Sequence, residues 1–261
     1  MPRGRFSLFS LLPSTTDAFA AWIAKLEATH LGELTFPELS RSLRALSATY
    51  VERRHKLSEG AALSGRGKRA AFALFYGPLH YLLVAHIVRA LPLATEGVPT
   101  LIDLGCGTGA AGAAWAVAMM PPPRIVGVDI HPWAVRQAGE TYRMFGLAAT
   151  VRQGDVATMT FPRGRAAIVA AFALNELPEA VRERLLTRLV ERAAHGDRVL
   201  VVEPLAGGAA RWWNRWRDTI ERAGGRADEW RFRAELPAIV VKLDRAAGLD
   251  HREITGRSLV L

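Results

Sequence analysis

The stretch that most restricts the fold is a glycine-dense turn held between a buried strand and a helix. Leu101 to Leu104 is an apolar run of strand character that leads directly into Gly105-Cys106-Gly107-Thr108-Gly109. Glycine reaches backbone angles closed to other residues and lets a ligand approach the main chain. An alanine-rich run from Gly109 to Met120 comes next and reads as a helix. Strand, tight turn and helix form the opening unit of a parallel sheet with crossover helices.

The rest of the chain after Pro99 repeats that alternation. Strands are expected at 124–129, 150–152, 166–172 and 198–203, with helices at 132–145, 178–194, 209–223 and 236–247. Strand character returns at 251–255 and 258–261. Right-handed crossovers turn this pattern into an α/β fold, a Rossmann-like doubly wound, mostly parallel sheet. In such sheets ligands lie beyond the carboxyl ends of the strands.

Before Pro99 the periodicity is helical. Ser14 to Asp17 offers caps to a segment reaching Thr29, with Phe19, Trp22, Ile23 and Leu26 on one face. A second helix runs from Phe36 to about Lys56, and the Gly/Ser-rich stretch 58–67 reads as a loop. A third runs from Lys68 to Leu91, with a bend expected at Gly77-Pro78 because proline lacks a donor and crowds the preceding turn. Residues 1–99 therefore read as an N-terminal helical cap, set apart from an α/β domain over 100–261.

The glycine turn acquires chemical meaning from the ends of the next two strands. Val126-Gly127-Val128-Asp129 ends the second strand about twenty residues on, where an acid accepts hydrogen bonds from ribose hydroxyls. Gln153-Gly154-Asp155-Val156 lies just past the third strand and can bring a carboxylate to an adenine amino group. Dinucleotide folds use G-x-G-x-x-G, whereas Gly105, Gly107 and Gly109 are spaced G-x-G-x-G with Asp103 inside the strand.

Here the chain resembles the class I S-adenosylmethionine-dependent methyltransferases, over roughly Thr100 to Leu205. The resemblance implies S-adenosyl-L-methionine as cofactor, held by Asp103, Gly105, Cys106, Gly107, Gly109, Asp129, Ile130, Asp155, Val156 and Phe172. From the cap, Arg69 or Tyr76 would reach the methionine carboxylate. Cys106 reads as a packed thiol rather than a nucleophile. A sulfonium carries its own leaving group, so such a site needs proximity and electrostatics, with a base only for a protonated nucleophile. No metal is required.

The turn after the fourth strand, Leu174-Asn175-Glu176-Leu177-Pro178, lacks the Asn/Asp-Pro-Pro-Tyr/Phe tetrapeptide of many amino-directed nucleic-acid methyltransferases. Asn175 and Glu176 are candidate catalytic residues, with helix entry as the competing reading; His80 is a third, as a base, against simple packing. Together with Arg182, Val201-Val202-Glu203-Pro204, Leu46-Ser47-x-x-Tyr50 and the Ala70-to-Tyr81 helix, the turn is similar to a small-ribosomal-subunit-associated methyltransferase-like family of mitochondria and bacteria. Many of its members carry a cysteine cluster for an iron–sulfur centre; this chain has Cys106 alone.

Charge bears on the acceptor. The chain carries 34 Lys+Arg against 25 Asp+Glu, a net charge of +9, which favours a polyanion partner. The densest window is Arg41 to Arg69, where Arg41, Arg44, Arg53, Arg54, Lys56, Arg66, Lys68 and Arg69 face only Glu52 and Glu59. Arg211-Trp212-Trp213-Asn214-Arg215-Trp216-Arg217 either stacks on bases or packs a helix on the sheet. The expected acceptor is RNA, with ribosomal RNA or the small ribosomal subunit as the leading partner. The alternatives are a small-molecule acceptor and a ribosome-assembly factor that binds the cofactor without turnover. One cysteine excludes an intramolecular disulfide, and Phe6 to Leu12 is too short for a membrane span, so a cytoplasmic protein without a membrane partner is expected.

Overall fold

The computed structural model describes residues 15–52, 63–93, 97–205, 211–249 and 251–261. Among these residues seven strands form one sheet: β1 Thr100–Leu104, β2 Arg124–Asp129, β3 Ala149–Gln153, β4 Ala166–Ala171, β5 Arg198–Glu203, β6 Arg226–Phe232 and β7 Ile254–Val260. Their spatial order is β3-β2-β1-β4-β5-β7-β6. The first five pair in parallel, and β7 is antiparallel to both β5 and β6. This is the doubly wound architecture expected from the sequence. The winding reverses at β1, which has β2 on one side and β4 on the other, so a crevice opens beyond their carboxyl ends.

The helices are α1 Thr15–Leu31, α2 Phe36–Glu52, α3 Arg66–Ala90, α4 Ala110–Ala116, α5 Pro132–Met144, α6 Glu179–Ala194, α7 Arg211–Arg222 and α8 Ala238–Ala247. Helices on both faces bury β1, β4 and β5, whose runs are apolar rather than alternating. The cap helices pack into the same hydrophobic core as the sheet: Trp22, Leu43, Leu74 and Ile87 join Leu101, Val169 and Leu200 in one cluster. Trp22 Nε1 also donates to Thr141 Oγ1 of α5 at 3.1 Å, and Arg44 of α2 donates to the Ala246 carbonyl of α8 at 2.7 Å.

Helix α3 is long and apolar enough to cross a membrane by length and composition, but 67% of its apolar window is buried in the protein. It is a core helix. Its irregularity is a π-helical turn over Phe72–Tyr76, just ahead of the expected bend. Pro78 supplies no donor to the preceding turn, and the Gly77 N–H reaches back to the Phe72 carbonyl. The π-turn sets Phe72 and Gly77 against the loop after β1, where they approach Gly107 and Thr108.

Three expectations change. Strand β6 has no counterpart in the sequence reading: Arg226-Ala-Asp-Glu-Trp-Arg-Phe232 is a charged edge strand with alternating exposure and none of the β-branched residues that mark a buried strand. The two C-terminal strand stretches are one strand, β7, which starts at Ile254, so 251–253 lie outside it. The helix expected over 109–120 spans only Ala110–Ala116. Ser14, Arg53, Arg54, Lys56 and Glu59 lie outside the described residues.

Candidate active site

The loop after β1 turns on three glycines in the left-handed region, with φ of 65° at Gly105, 52° at Gly107 and 77° at Gly109. A Cβ on Gly105 would sit 2.6 Å from the Ala173 Cβ of the turn after β4. Gly105 is therefore glycine for two reasons, conformation and close approach. A Cβ on Gly107 would meet the Phe72 ring at 3.5 Å, so the π-turn of the cap lies against the cradle. Gly109 is the N-cap of α4.

Asp129, at the end of β2, is tied to that loop. Its Oδ2 accepts the Gly107 N–H at 2.9 Å and its Oδ1 accepts the His131 N–H at 2.8 Å. Burial raises its carboxyl above the ordinary value, against these two bonds. Each oxygen keeps a further lone pair for a ligand hydroxyl. His131 belongs to none of the sequence motifs, yet it helps to build the site. Its Nδ1 accepts the Trp133 N–H and caps α5 ahead of Pro132, a histidine-proline helix start that the sequence does contain.

Ile130 is exposed beside Asp129 at 70%, and its carbonyl accepts Gln153 Nε2 at 3.1 Å. Asp155 lies just after β3, and its Oδ1 holds the Ala157 N–H at 2.8 Å. Val156 is buried in the core on that side of the sheet. A cradle that a Cβ would fill, a carboxylate at the neighbouring strand end and an exposed apolar side chain beside it together fit an adenosine-bearing cofactor.

Asp103 and Cys106 face inward. Asp103 Oδ2 accepts the Tyr142 hydroxyl at 2.7 Å and the Gly112 N–H at 3.0 Å, so it bonds to α5 and α4. Burial pushes its carboxyl up to about 6. Cys106 is buried, and burial holds its thiol well above the usual range, with Asp103 and Asp129 adding to the effect. A thiol held protonated is a poor nucleophile, in keeping with a packed residue.

On the cap side, Arg69 donates from Nε to the Leu63 carbonyl at 2.9 Å. It lies close enough to His131 to contribute, after burial, to lowering that imidazole's pKa, as does Arg136. Tyr76 shares a hydrogen bond with Ser47 of α2. His80 stacks on Phe172 at 3.6 Å between centroids and 10° between planes, and burial drives its pKa down to about 3.

The turn after β4 is fixed from behind by Glu203, a residue that the sequence marks only as part of a family-like phrase. Fully buried at the end of β5, it accepts the Leu174 N–H at 2.9 Å on Oε1 and the Asn175 side-chain amide on Oε2. Trp212 Nε1 donates to Asn175 Oδ1 at 3.1 Å. Both ends of the Asn175 amide are therefore engaged. Arg182 donates to the Leu174 and Leu177 carbonyls at 3.2 and 3.0 Å. Glu176 differs: its side chain, half-buried, has no hydrogen bond or ion pair among the described residues. Burial, then the Asp129 and Glu203 carboxylates, push it up to about 8.

The tryptophan run is a packing face. Trp212, Trp213 and Trp216 are all buried, and Arg215 pairs outward with Glu183 at 2.6 Å.

The sequence profile of a methyltransferase domain family matches residues 101–196, the span holding the glycine cradle, Asp129, Asp155 and Glu176. No curated protein matches the chain. Among solved structures, the chain is similar to mitomycin 7-O-methyltransferase MmcR, at 17% identity over 98% of this chain and 75% of that one, TM-score 0.48. It is similar also to the N,N-8-amino-8-demethyl-D-riboflavin dimethyltransferase RosA of Streptomyces davawensis, at 20% identity over 77% and 67%, TM-score 0.48. A third is the Pyrococcus abyssi tRNA (uracil-54, C5)-methyltransferase in complex with S-adenosyl-L-homocysteine, at 14% identity over 68% and 37%, TM-score 0.42. The family profile lies over this crevice, so residues 101–196 carry a methyltransferase domain, in support of a methyltransferase that uses S-adenosylmethionine.

Proposed function

We propose that the cofactor lies along the ends of β1, β2 and β3 and that the enzyme methylates RNA, with the RNA of the small ribosomal subunit as first candidate. The observation that carries the cofactor reading is the Gly107–Asp129 hydrogen bond, which joins cradle and carboxylate into one unit. Asp129 takes the ribose hydroxyls, while Ile130, Asp155 and Val156 border the adenine. Gly105, Gly107 and Gly109 leave room for the amino-acid arm, and Arg69 or Tyr76 meets its carboxylate. Asp103 and Cys106 act from behind the loop, by shaping it.

Bound there, S-adenosylmethionine supplies an electrophilic methyl group on a positively charged sulfur. The chain's own task is to orient that methyl and to receive the acceptor. Of the three acceptor-side candidates, Glu176 presents a carboxyl with no partner among the described residues. Asn175 is a positioning residue, its amide held by Glu203 and Trp212. His80 is a wall: an imidazole with its pKa at about 3 is a weak base at neutral pH.

The RNA reading is supported by cations at the crevice and on the cap. Arg69 and Arg136 both act on His131 at its mouth, and Arg41 and Arg66 are exposed beside Glu38 on the cap. A small-molecule acceptor is the second reading, favoured by the aromatic wall of Phe72, Tyr76, His80 and Phe172. Labelled cofactor offered in parallel with 30S subunits, protein-free RNA and a metabolite extract separates them. Label in RNA is the expected result; label only in the metabolite fraction supports the second reading; label in none contradicts both.

A further inference from the structure

In the sheet, β3 and β4 are separated by β2 and β1, yet the chain that joins them, 154–165, contains no helix. A helix satisfies its own backbone, whereas an irregular loop must find partners elsewhere. Two arginines one turn apart on α6 supply them. Arg188 donates from Nη1 to the Ala157 carbonyl at 3.4 Å and from Nη2 to the Met159 carbonyl. Its guanidinium lies 4.5 Å from the centre of the Phe161 ring. Arg192 donates to the Gly164 carbonyl at 2.7 Å and pairs with Asp197. Val156 and Met159 are buried in one apolar cluster with Leu185 and Leu189 of the same helix.

The two ties reach different parts of the loop. Asp155 Oδ1 accepts the Ala157 N–H at 2.8 Å, and the Asp155 carbonyl accepts the Thr158 N–H at 3.1 Å. Arg188 holds the outer side of this tight turn, which orients the Asp155 carboxylate. Asp155 is exposed, and its second oxygen stays available to a ligand. On the inner side, Gly154 donates to the Asp129 carbonyl at 3.0 Å, and Gln153 Nε2 donates to the Ile130 carbonyl at 3.1 Å. A continuous series of bonds therefore runs from α6, through the Asp155 turn, to the strand end that carries Asp129. Arg192 grips the far end of the loop and takes no part in that series.

We propose that Arg188 is a positioning residue for base recognition. By fixing the Ala157 and Met159 carbonyls it aims Asp155 at the 6-amino group of the cofactor's adenine, and so selects adenine over a base with an oxygen at that position. Arg188 itself touches no ligand. The inference rests on the reading that Asp155 borders the adenine. An amino group donates to a carboxylate, while an oxo group in its place repels it. A carboxylate left to swing would lose that distinction, and the contacts to the ribose and the amino-acid arm would keep their strength.

Calorimetry on the full chain tests this without knowledge of the acceptor. The ligands are S-adenosylhomocysteine and S-inosylhomocysteine, which differ at that position of the base, and the readout is the ratio of their affinities. The wild type should favour the adenosyl ligand by about tenfold or more, as a bond to a charged acceptor implies. In Arg188→Ala the ratio should collapse towards equal affinity, as it should in Asp155→Ala. Arg192→Ala should keep the wild-type ratio. If Arg188→Ala does not fold, Arg188→Lys carries the comparison, because an ammonium keeps the charge without the two-pronged grip. A wild-type ratio in the Arg188 variant overturns the proposal. So does an equal collapse in Arg192→Ala, which would mean general loosening of the loop, and so does equal binding of both ligands by the wild type. Selectivity that survives in Asp155→Ala would overturn the adenine reading beneath the proposal as well, and failure of both ligands to bind would overturn the cofactor site itself.

Discussion

His80 lies flat on Phe172, and Phe172 is the one non-glycine residue with a positive φ, 58°, among the described residues. The stack joins the cap helix α3 to the turn after β4. Its strained partner is held by the Phe172 N–H bond to the Val202 carbonyl at 2.8 Å. Strain of this kind persists only where the surroundings over-determine it. At Phe172 they are a ring on one side and the end of β5 on the other.

The stack separates two roles for His80. As a wall, His80→Phe should keep methyl transfer within about tenfold of wild type, because a phenyl ring preserves the stacking. As a base, the same change would abolish transfer with cofactor binding intact. Rates measured alongside cofactor affinity decide between them, and the wall is the expected outcome.

Gly105→Ala should destabilise the protein by about 1–3 kcal/mol, since the new methyl both clashes with Ala173 and meets a left-handed backbone. Denaturant unfolding measures it. Gly146→Ala, at φ 68° with open space around it, is the control: it carries the conformational cost without the clash, so a loss as large at Gly146 would contradict the close-approach argument.

The raised acids set a pH dependence of stability. Glu176 at about 8 and Glu203 at about 7 bind protons more tightly in the folded chain than an ordinary glutamate. Their contribution to the folded state is complete below the ordinary value of 4.5 and is lost as pH rises through 7 to 8. Glu176→Gln, which cannot ionise, should gain stability relative to wild type as pH rises from about 5 to about 8, by up to a few kcal/mol. Paired melting curves across that range check the sign; an advantage of the variant that grows on acidification would contradict it.

Arg66→Ala should reduce the salt dependence of RNA binding, lowering the slope of log affinity against log salt by about 1, if Arg66 contacts a phosphate. Cofactor affinity should not change. An unaltered slope would remove this part of the cap from the RNA surface.

Much of this site is legible in the sequence because its parts are local. The Gly105 to Gly109 turn sits between a strand and a helix that its own neighbours define, and Asp129 and Asp155 each close a strand of similar kind. The features hidden from the sequence depend on distant partners. Asp103 reads as a cofactor group within its motif, but its bonds go to Gly112 and to Tyr142, 39 positions away. Asn175 reads as a pocket amide until Glu203 and Trp212 are seen to use both its ends. Strand β6 escapes notice because its pairing with β7, rather than an apolar run of its own, makes it a strand. The π-turn in α3 is expected only as a bend, since Gly77-Pro78 signals a disrupted helix without specifying the form of the disruption.

Calorimetric titration of S-adenosylmethionine into the full chain and into Asp129→Ala puts the cofactor assignment to its plainest test. Loss of the carboxylate should leave ribose hydroxyls and the Gly107 and His131 N–H groups without an acceptor, weakening binding by ~1–3 kcal/mol, or about tenfold to a hundredfold. Saturable binding by the wild type, with that loss in the variant, is the expected outcome. No saturable binding, or an affinity that Asp129→Ala leaves unchanged, would mean that this crevice is not the cofactor site.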